Sequence, residues 1–346
     1  MRARPTREEQ LLALLAGRYS APDASLVPFY EQRDRAVYRV DRSGGSPWVL
    51  RLFEPERPAT RTVGDAAVLR YLELHRVPAE RLVRAADGSP TVTLGEQSAL
   101  VTGFVPGGRP DRSPATLRRL GEAVGRLHAL RPVPPADLFL TRTAGSEPAQ
   151  DLAAARAWLD GVAGMVPPAH RAAYDAVAAA VEATRVPADL PRGLTHNDRH
   201  LGNAHRTPDG QVVLFDWEGA GQGTLAAALG WLLFSCAVAA PGDPPRRASA
   251  ELVAPVVEGY CRHRVPTDAE LAWLPDAVRI RPLVIAARTL VRSIESGQAP
   301  DPRWAWSGGY VDAELVAGRA RETIAGLVRR WDRSGRARPR EGIEST

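Results

Sequence analysis

The apolar periodicity of the chain changes once, and this change constrains the fold more than any other feature. Between residues 26 and 106 the apolar residues fall into short β-type runs at Leu26 to Tyr30, Ala36 to Val40, Trp48 to Phe53 and Ser98 to Val105. Turn material at Ser43-Gly44-Gly45 and Asp87-Gly88 separates them. One helical stretch, Val63 to His75, interrupts the runs with Ala66, Leu69, Leu72 and Leu74 at helical spacing. From residue 114 onward helices dominate: Pro114 to Ala129, Ala149 to Val162, Arg171 to Thr184, Leu225 to Ala239, Ala248 to Arg264, Glu270 to Ser296 and Asp312 to Trp331. A single β-like island, Gly193 to Trp217, remains among them. The pattern predicts an α+β class, with a small β-rich N-terminal lobe over 1–106 and a larger, mainly helical lobe over 107–331. Val105-Pro106-Gly107-Gly108 joins them, and residues 332–346 form a solvated, mobile tail.

Composition removes whole classes of chemistry. Of the 346 residues, 45 are Lys or Arg, and every one of these is arginine. A chain without lysine forms no Schiff base and has no Walker A loop, whose signature ends in Gly-Lys-Ser/Thr. Any cation that binds phosphate must be a guanidinium. A net charge of +5 over this length, with no block of like charge outside the looser Arg329 to Arg340, argues against a nucleic-acid partner. Two unpatterned cysteines, Cys236 and Cys261, suit buried thiols in a reducing cytoplasm. Met1 to Gln10 is charged and the apolar run behind it is only Leu11 to Ala16, so no signal peptide is expected. Gly219 to Gly242 carries no charge, but its apolar core, Leu225 to Ala240, falls short of the ~20 residues that span a bilayer. A buried core helix is the expectation there, with no membrane partner.

The chemistry lies in the β-like island. It reads Gly193-Leu-Thr-His-Asn-Asp-Arg-His-Leu-Gly-Asn203, a turn at Pro208-Asp209-Gly210, then a strand that ends in Asp216-Trp217-Glu218. A hairpin of this kind brings Asp198, Asn203 and Asp216 to one edge. Two carboxylates and an amide oxygen are hard ligands that suit Mg2+, which completes its octahedron with waters and substrate phosphates.

His196-Asn-Asp198 followed by four residues and Asn203 resembles the catalytic loop of the protein-kinase superfamily, and Asp216-Trp217-Glu218 resembles its metal-binding Asp-Phe-Gly. The separations, five residues from Asp198 to Asn203 and thirteen from Asn203 to Asp216, are those of the superfamily. The His-Asn-Asp and Asp-Trp-Glu forms are similar to those of the aminoglycoside phosphotransferase and choline kinase branch, which phosphorylates small molecules. The resemblance implies a bilobal protein-kinase-like fold and ATP-dependent transfer of the γ-phosphate to a hydroxyl. It makes Asp198 the catalytic base and Asn203 and Asp216 the Mg2+ ligands. Arg51, in Trp48-Val-Leu-Arg51-Leu, takes the place of the third-strand cation on the α and β phosphates. Asp65 stands where the family has the glutamate that pairs with that cation. Ala99-Leu-Val-Thr-Gly-Phe-Val-Pro-Gly107 resembles the strand and hinge whose backbone at about Gly103 and Val105 meets adenine. Leu120 to Ala129 resembles the helix after the hinge, and His196 is the residue that braces the loop. Three departures stand out: the aspartate in place of glutamate at Asp65, a glycine-free Glu31 to Ala36 where a glycine-rich loop should lie, and Ala228 where the family carries an aspartate.

Two other classes remain open at this stage. His196, Asp198, His200 and His205 form a cluster with the chemistry of a zinc or di-metal hydrolase. The missing loop glycines and Ala228 fit a kinase-like binding module without catalysis. For a kinase the acceptor would be a hydroxylated antibiotic, amino alcohol, amino acid or sugar. The C-terminal acids, Glu218, Glu258, Asp268, Glu270, Asp276 and Glu295, are interleaved with Arg262, Arg264, Arg279 and Arg281 and do not predict a polycation pocket. Trp273, Trp304, Trp306 and Tyr310 are candidates to stack on a sugar or to cage an ammonium.

Overall fold

The computed structural model describes residues 5–31, 35–130, 143–196, 198, 200–238, 249–299 and 312–334. Strands β1 (Ser25–Glu31), β2 (Arg35–Asp41), β3 (Trp48–Phe53), β4 (Val92–Leu94) and β5 (Gln97–Gly103) form an antiparallel sheet in the order β1-β2-β3-β5-β4. The period of two in β3 divides its faces. Leu50 and Leu52 enter a core with Leu11, Leu14 and Leu15, whereas Phe53 enters the main core with Leu69 and Leu72. Arg51 shares the face of Phe53, so this register alone aims a cation away from the first core.

Leu11, Leu14 and Leu15 lie on α1 (Arg7–Tyr19), a helix absent from the expectations. Its start is nonetheless written as a capping box: Thr6 Oγ1 accepts the N–H of Glu9, and the Glu9 carboxylate accepts the N–H of Thr6. Helix α2 (Ala59–Leu74) begins a turn earlier than predicted and packs Thr62, Asp65, Ala66, Leu69 and Leu72 inward.

The rest of the molecule is mainly helical: α3 (Pro114–His128), α4 (Pro148–Val162), α5 (Pro168–Ala183), α6 (Leu225–Ala237), α7 (Val253–Tyr260), α8 (Asp268–Ser296) and α9 (Ala313–Ser334). Pro114, Pro148 and Pro168 each open a helix, where the missing N–H has no intrahelical partner to lose. Two short ribbons interrupt the helices. β6 (Arg192–Thr195) pairs with β9 (Gly221–Thr224), and β7 (Ala204–Arg206) pairs with β8 (Val212–Leu214), both antiparallel. The second is the expected hairpin, turning on Gly210 at φ +80°. Strand β9 reads Gly-Gln-Gly-Thr, a sequence with little β propensity, and its pairing comes from β6. Helix α6 is buried nearly throughout, and among the described residues no helix is long and apolar enough to cross a membrane.

Helices α3 and α7 cross at glycine. A Cβ on Gly121 would overlap the Val256 carbonyl, and one on Gly259 would overlap the Arg118 carbonyl, so the two backbones meet at a distance only glycine permits. Helix α8 is anchored by a buried ion pair, Arg264 Nη2 to Glu270 Oε2 at 2.6 Å, with Glu270 also closing the N-terminal capping box on Thr267. Both side chains are 2% exposed. Arg264→Ala therefore leaves a buried carboxylate uncompensated and is expected to cost about 3–5 kcal/mol in urea unfolding, while Arg279→Ala, at a half-exposed pair with Asp276, is expected to cost under about 1 kcal/mol.

Candidate active site

His196 follows β6 directly and is fully buried. Its Nδ1 accepts the backbone N–H of Asp198 at 3.1 Å, which puts the ring proton on Nε2, and Nε2 donates to the Phe215 carbonyl at 2.9 Å. The ring also packs on Trp217 with centroids 4.6 Å apart. One imidazole thus fastens the loop of Asp198 to the segment after β8. Asn203 ends the 3-10 turn over 201–203 and adds a second fastening: Nδ2 donates to the Asp198 carbonyl at 2.7 Å, and the Asn203 carbonyl accepts the Phe215 N–H at 3.1 Å. These bonds leave the amide oxygen of Asn203 without a partner among the described residues. Ala228 is buried in the first turn of α6 and adds no polar side chain to this bracing.

Asp198 is partly exposed and lies 3.3 Å from His200 Nε2. His200 Nδ1 accepts the Gly202 N–H at 2.9 Å, so its proton sits on Nε2 and faces the carboxylate. Burial pushes Asp198 up, but the hydrogen bond from His200 and the electrostatic pull of His200, Arg281 and His196 outweigh it and hold the carboxyl at about 2.

Asp216 adopts φ +64°, a left-handed conformation that costs a non-glycine residue about 1–3 kcal/mol and is found where surrounding contacts impose it. The imposing contact is Glu80, whose Oε1 accepts the Asp216 N–H at 3.0 Å. Glu80 is also the partner of Arg51: Arg51 Nη2 reaches its two oxygens at 2.9 and 3.2 Å, and Thr102 Oγ1 bridges the pair at 3.1 and 2.8 Å. Arg51 therefore engages Glu80, and Asp65 is paired with Arg57. Asp65 still lines the same cavity of about 180 Å³ as Arg51, Glu80 and Glu218. The aspartate is one methylene shorter than the family's glutamate, and the acid from the loop after α2 reaches the arginine in its place.

A further residue, Arg35, enters the site that sequence reasoning did not place there, and it meets Glu218 of the Asp-Trp-Glu motif. Arg35 Nη1 lies 2.6 Å from Glu218 Oε1 and 3.3 Å from Asp216 Oδ1. Glu218 also faces Arg57 at 3.5 Å and Arg51 at 4.0 Å. Burial and the neighbouring Asp216 push Glu218 up against the pull of these arginines. Glu80 had no local signal: it follows Val77-Pro78-Ala79 outside any periodic segment, and its partners Arg51 and Asp216 are 29 and 136 residues away.

At the hinge, Gly103 donates its N–H to the Arg81 carbonyl at 2.8 Å, and the Val105 carbonyl accepts from His205 Nδ1 at 3.1 Å. The Gly103 carbonyl and the Val105 N–H remain, among the described residues, as one acceptor and one donor, the complement of an adenine edge. Thr195, on the strand that leads into the loop of Asp198, lines a narrow recess together with Ser146, Asp151, Trp231 and Arg281 among others. Trp273 is not an acceptor-stacking residue: it is buried and donates Nε1 to the Arg185 carbonyl at 2.8 Å, which fixes it in the core. Trp304, Trp306 and Tyr310 lie outside the described residues.

The donor set fits a divalent cation, with a carboxylate at Asp216, whose Oδ1 a guanidinium already reaches, and an amide oxygen at Asn203 that has no partner among the described residues. It does not fit the zinc cluster, since both nitrogens of His196 are engaged and no group of three or more metal-binding side chains occurs among the described residues.

A model of the phosphotransferase enzyme family matches residues 25–274. An uncharacterised protein of Deinococcus radiodurans is 27% identical over 265 residues, covering 74% of this chain and 75% of its own. Among solved structures, an amicoumacin kinase in complex with AMP-PNP, Ca2+ and Ami aligns with a TM-score of 0.62 at 20% identity over 93% of this chain and 94% of that one. A spectinomycin phosphotransferase in complex with ADP and spectinomycin aligns at 0.58 with 13% identity, covering 92% and 99%. A microcompartment-associated aminopropanol kinase aligns at 0.56 with 21% identity, covering 95% and 99%. The bilobal protein-kinase-like fold is common to them, and with its family match running through most of the sheet and the whole catalytic segment, the chain belongs to the phosphotransferase enzyme family.

Proposed function

We propose that the protein transfers the γ-phosphate of ATP to a hydroxyl of a small molecule. The observation that carries this reading is that Asn203 fastens the Asp198 carbonyl and the N–H of Phe215, the residue before Asp216, while the N–H of Asp216 is tied through Glu80 to the third-strand cation Arg51. Phosphoryl transfer demands positioning and charge neutralisation more than covalent chemistry, and these residues supply both. Asp198, ionised at any ordinary pH, accepts a hydrogen bond from the acceptor hydroxyl and takes its proton as the oxygen attacks the γ-phosphorus. Its low proton affinity suits orientation of the hydroxyl, with proton transfer late in the step. Asn203 and Asp216 would hold Mg2+, which supplies charge neutralisation on the phosphates. Arg51 fixes the α and β phosphates, a task for which a guanidinium fork is well shaped. The Gly103 carbonyl and Val105 N–H receive adenine.

The acceptor enters the recess beside Asp198. Amicoumacin, spectinomycin and aminopropanol, named for proteins of this fold, define the range of chemistry: hydroxylated molecules small enough for one cleft. A coupled assay of ADP release against antibiotics, amino alcohols, amino acids and sugars tests the reading. An ATP- and Mg2+-dependent signal with at least one acceptor is expected, and ADP release that no acceptor stimulates would contradict it. Arg51→Ala is expected to weaken ATP binding by roughly tenfold or more, the value of a charge-assisted hydrogen bond, while Arg118→Ala, at a half-exposed pair with Glu258, leaves it unchanged. Equal effects in a calorimetric titration would remove Arg51 from the phosphate site.

A further inference from the structure

We propose that Arg35 is a second phosphate-binding guanidinium, which exchanges Asp216 and Glu218 for the nucleotide's polyphosphate when a divalent cation and nucleotide enter together. This rests on the phosphotransferase reading and extends it to a residue outside its expected machinery.

The first observation is positional. Arg35 opens β2, immediately after the β1–β2 turn where a kinase-like sheet places a glycine-rich loop over the phosphates, and Glu31 to Ala36 contains no glycine. Close backbone approach to phosphate needs glycine. Without it a side chain is the natural phosphate contact in this corner, and in a lysine-free chain the cation among its described residues is Arg35.

The second observation is the register. Arg35 pairs with Phe53 and Val37 pairs with Arg51, so Arg35 and Arg51 stand two positions apart on one face of the sheet. Their guanidinium groups converge on the same oxygen, Glu218 Oε1, at 2.6 Å for Arg35 and 4.0 Å for Arg51. With Arg57 they place three cations on four carboxylates, Asp65, Glu80, Asp216 and Glu218.

The third observation is what Arg35 touches. Its Nη1 is 3.3 Å from Asp216 Oδ1, the carboxylate assigned to the divalent cation, so guanidinium and cation compete for one oxygen. Two like charges so close repel, and Arg35 leaves Asp216 when the cation binds. The polyphosphate that arrives with the cation is the anion available to receive it.

The exchange has a signature with two signs. In Arg35→Gln, Mn2+ alone, followed by electron paramagnetic resonance, is expected to bind about fivefold more tightly, because one competing charge has gone. Mg2+·AMP-PNP, followed by calorimetry, is expected to bind roughly 10- to 100-fold more weakly, the value of a lost charge-assisted contact. Adenosine affinity should not move, because the hinge is untouched. Arg35→Lys keeps the charge without the fork; it should restore the wild-type Mn2+ affinity but only part of the nucleotide affinity. A purely structural ion pair gives a different pattern: Mn2+ and nucleotide affinities that fall together, or neither changing, overturn the assignment. If the wild-type protein fails to bind Mg2+·AMP-PNP at all, the phosphotransferase reading falls and takes this proposal with it; if it binds and Arg35→Gln binds equally well, only Arg35 is misassigned.

Discussion

Asp198→Ala is expected to lower kcat by about 10²- to 10⁴-fold while leaving the Kd for Mg2+·AMP-PNP within about twofold of wild type. The separation of the two readouts follows from the geometry. The carboxylate of Asp198 faces His200, whereas the loop that holds Asn203 is fastened by main-chain atoms of residue 198, its N–H to His196 and its carbonyl to Asn203. Alanine keeps those main-chain bonds and removes only the group that receives the hydroxyl proton. Because the carboxyl is held at about 2, it stays ionised throughout any usable assay range, and no limb of the pH profile between pH 5 and 9 should belong to it. The sign for stability is the ordinary one for a lowered carboxyl. Its contribution is present above the unfolded value near 3.8 and is lost only as pH falls through about 2. A kcat in Asp198→Ala equal to wild type would remove the residue from the chemistry.

Glu80→Ala is the second large effect, and it acts on stability and on nucleotide together. Arg51 and Glu80 are 8% and 4% exposed, so deletion of the acid leaves a buried guanidinium without its partner, at a cost of about 3–5 kcal/mol. The same deletion releases the N–H of Asp216 and removes the contact that holds its backbone at φ +64°. Nucleotide affinity should therefore fall further than loss of Arg51's orientation alone requires, and the metal dependence of binding should weaken with it. Glu80→Gln separates these components: it retains an acceptor for Asp216 and most of the packing, so the fold is kept while the ion pair is lost. If Asp65→Asn weakens Mg2+·AMP-PNP binding more than Glu80→Gln does in a calorimetric titration, the family's usual helix position holds the acid that serves Arg51 after all.

The division between what the sequence shows and what it hides follows the range of the interactions. The segment is local: Asp198, Asn203 and Asp216 are spaced by a loop, a turn and a hairpin, and the bonds by which His196 and Asn203 brace the loop join residues at most 19 positions apart. Arg51 is legible because strand period and the absence of lysine leave one interior cation on β3. Glu80 and Arg35 are not legible. Each owes its place to contacts across the cleft, as with Arg35 to Asp216 over 181 residues, and neither hydrophobic period nor motif spacing encodes such a distance. Helix α1 was legible in principle, through its capping box and the Leu11, Leu14, Leu15 stripe, and is obscured only when that run is weighed as a leader sequence. The α3–α7 crossing is hidden for a different reason. Gly121 and Gly259 sit inside helices, where glycine looks like a weakness until the partner backbone is in place.

The most direct test of the central claim is analysis of the acceptor itself. Wild-type protein incubated with γ-labelled ATP, Mg2+ and the acceptor that most stimulates ADP release should yield a labelled phosphate ester on the acceptor hydroxyl, in amounts equal to the ADP formed and absent with Asp198→Ala. Label recovered only as inorganic phosphate, or an acceptor altered without ATP, would contradict phosphoryl transfer by this site.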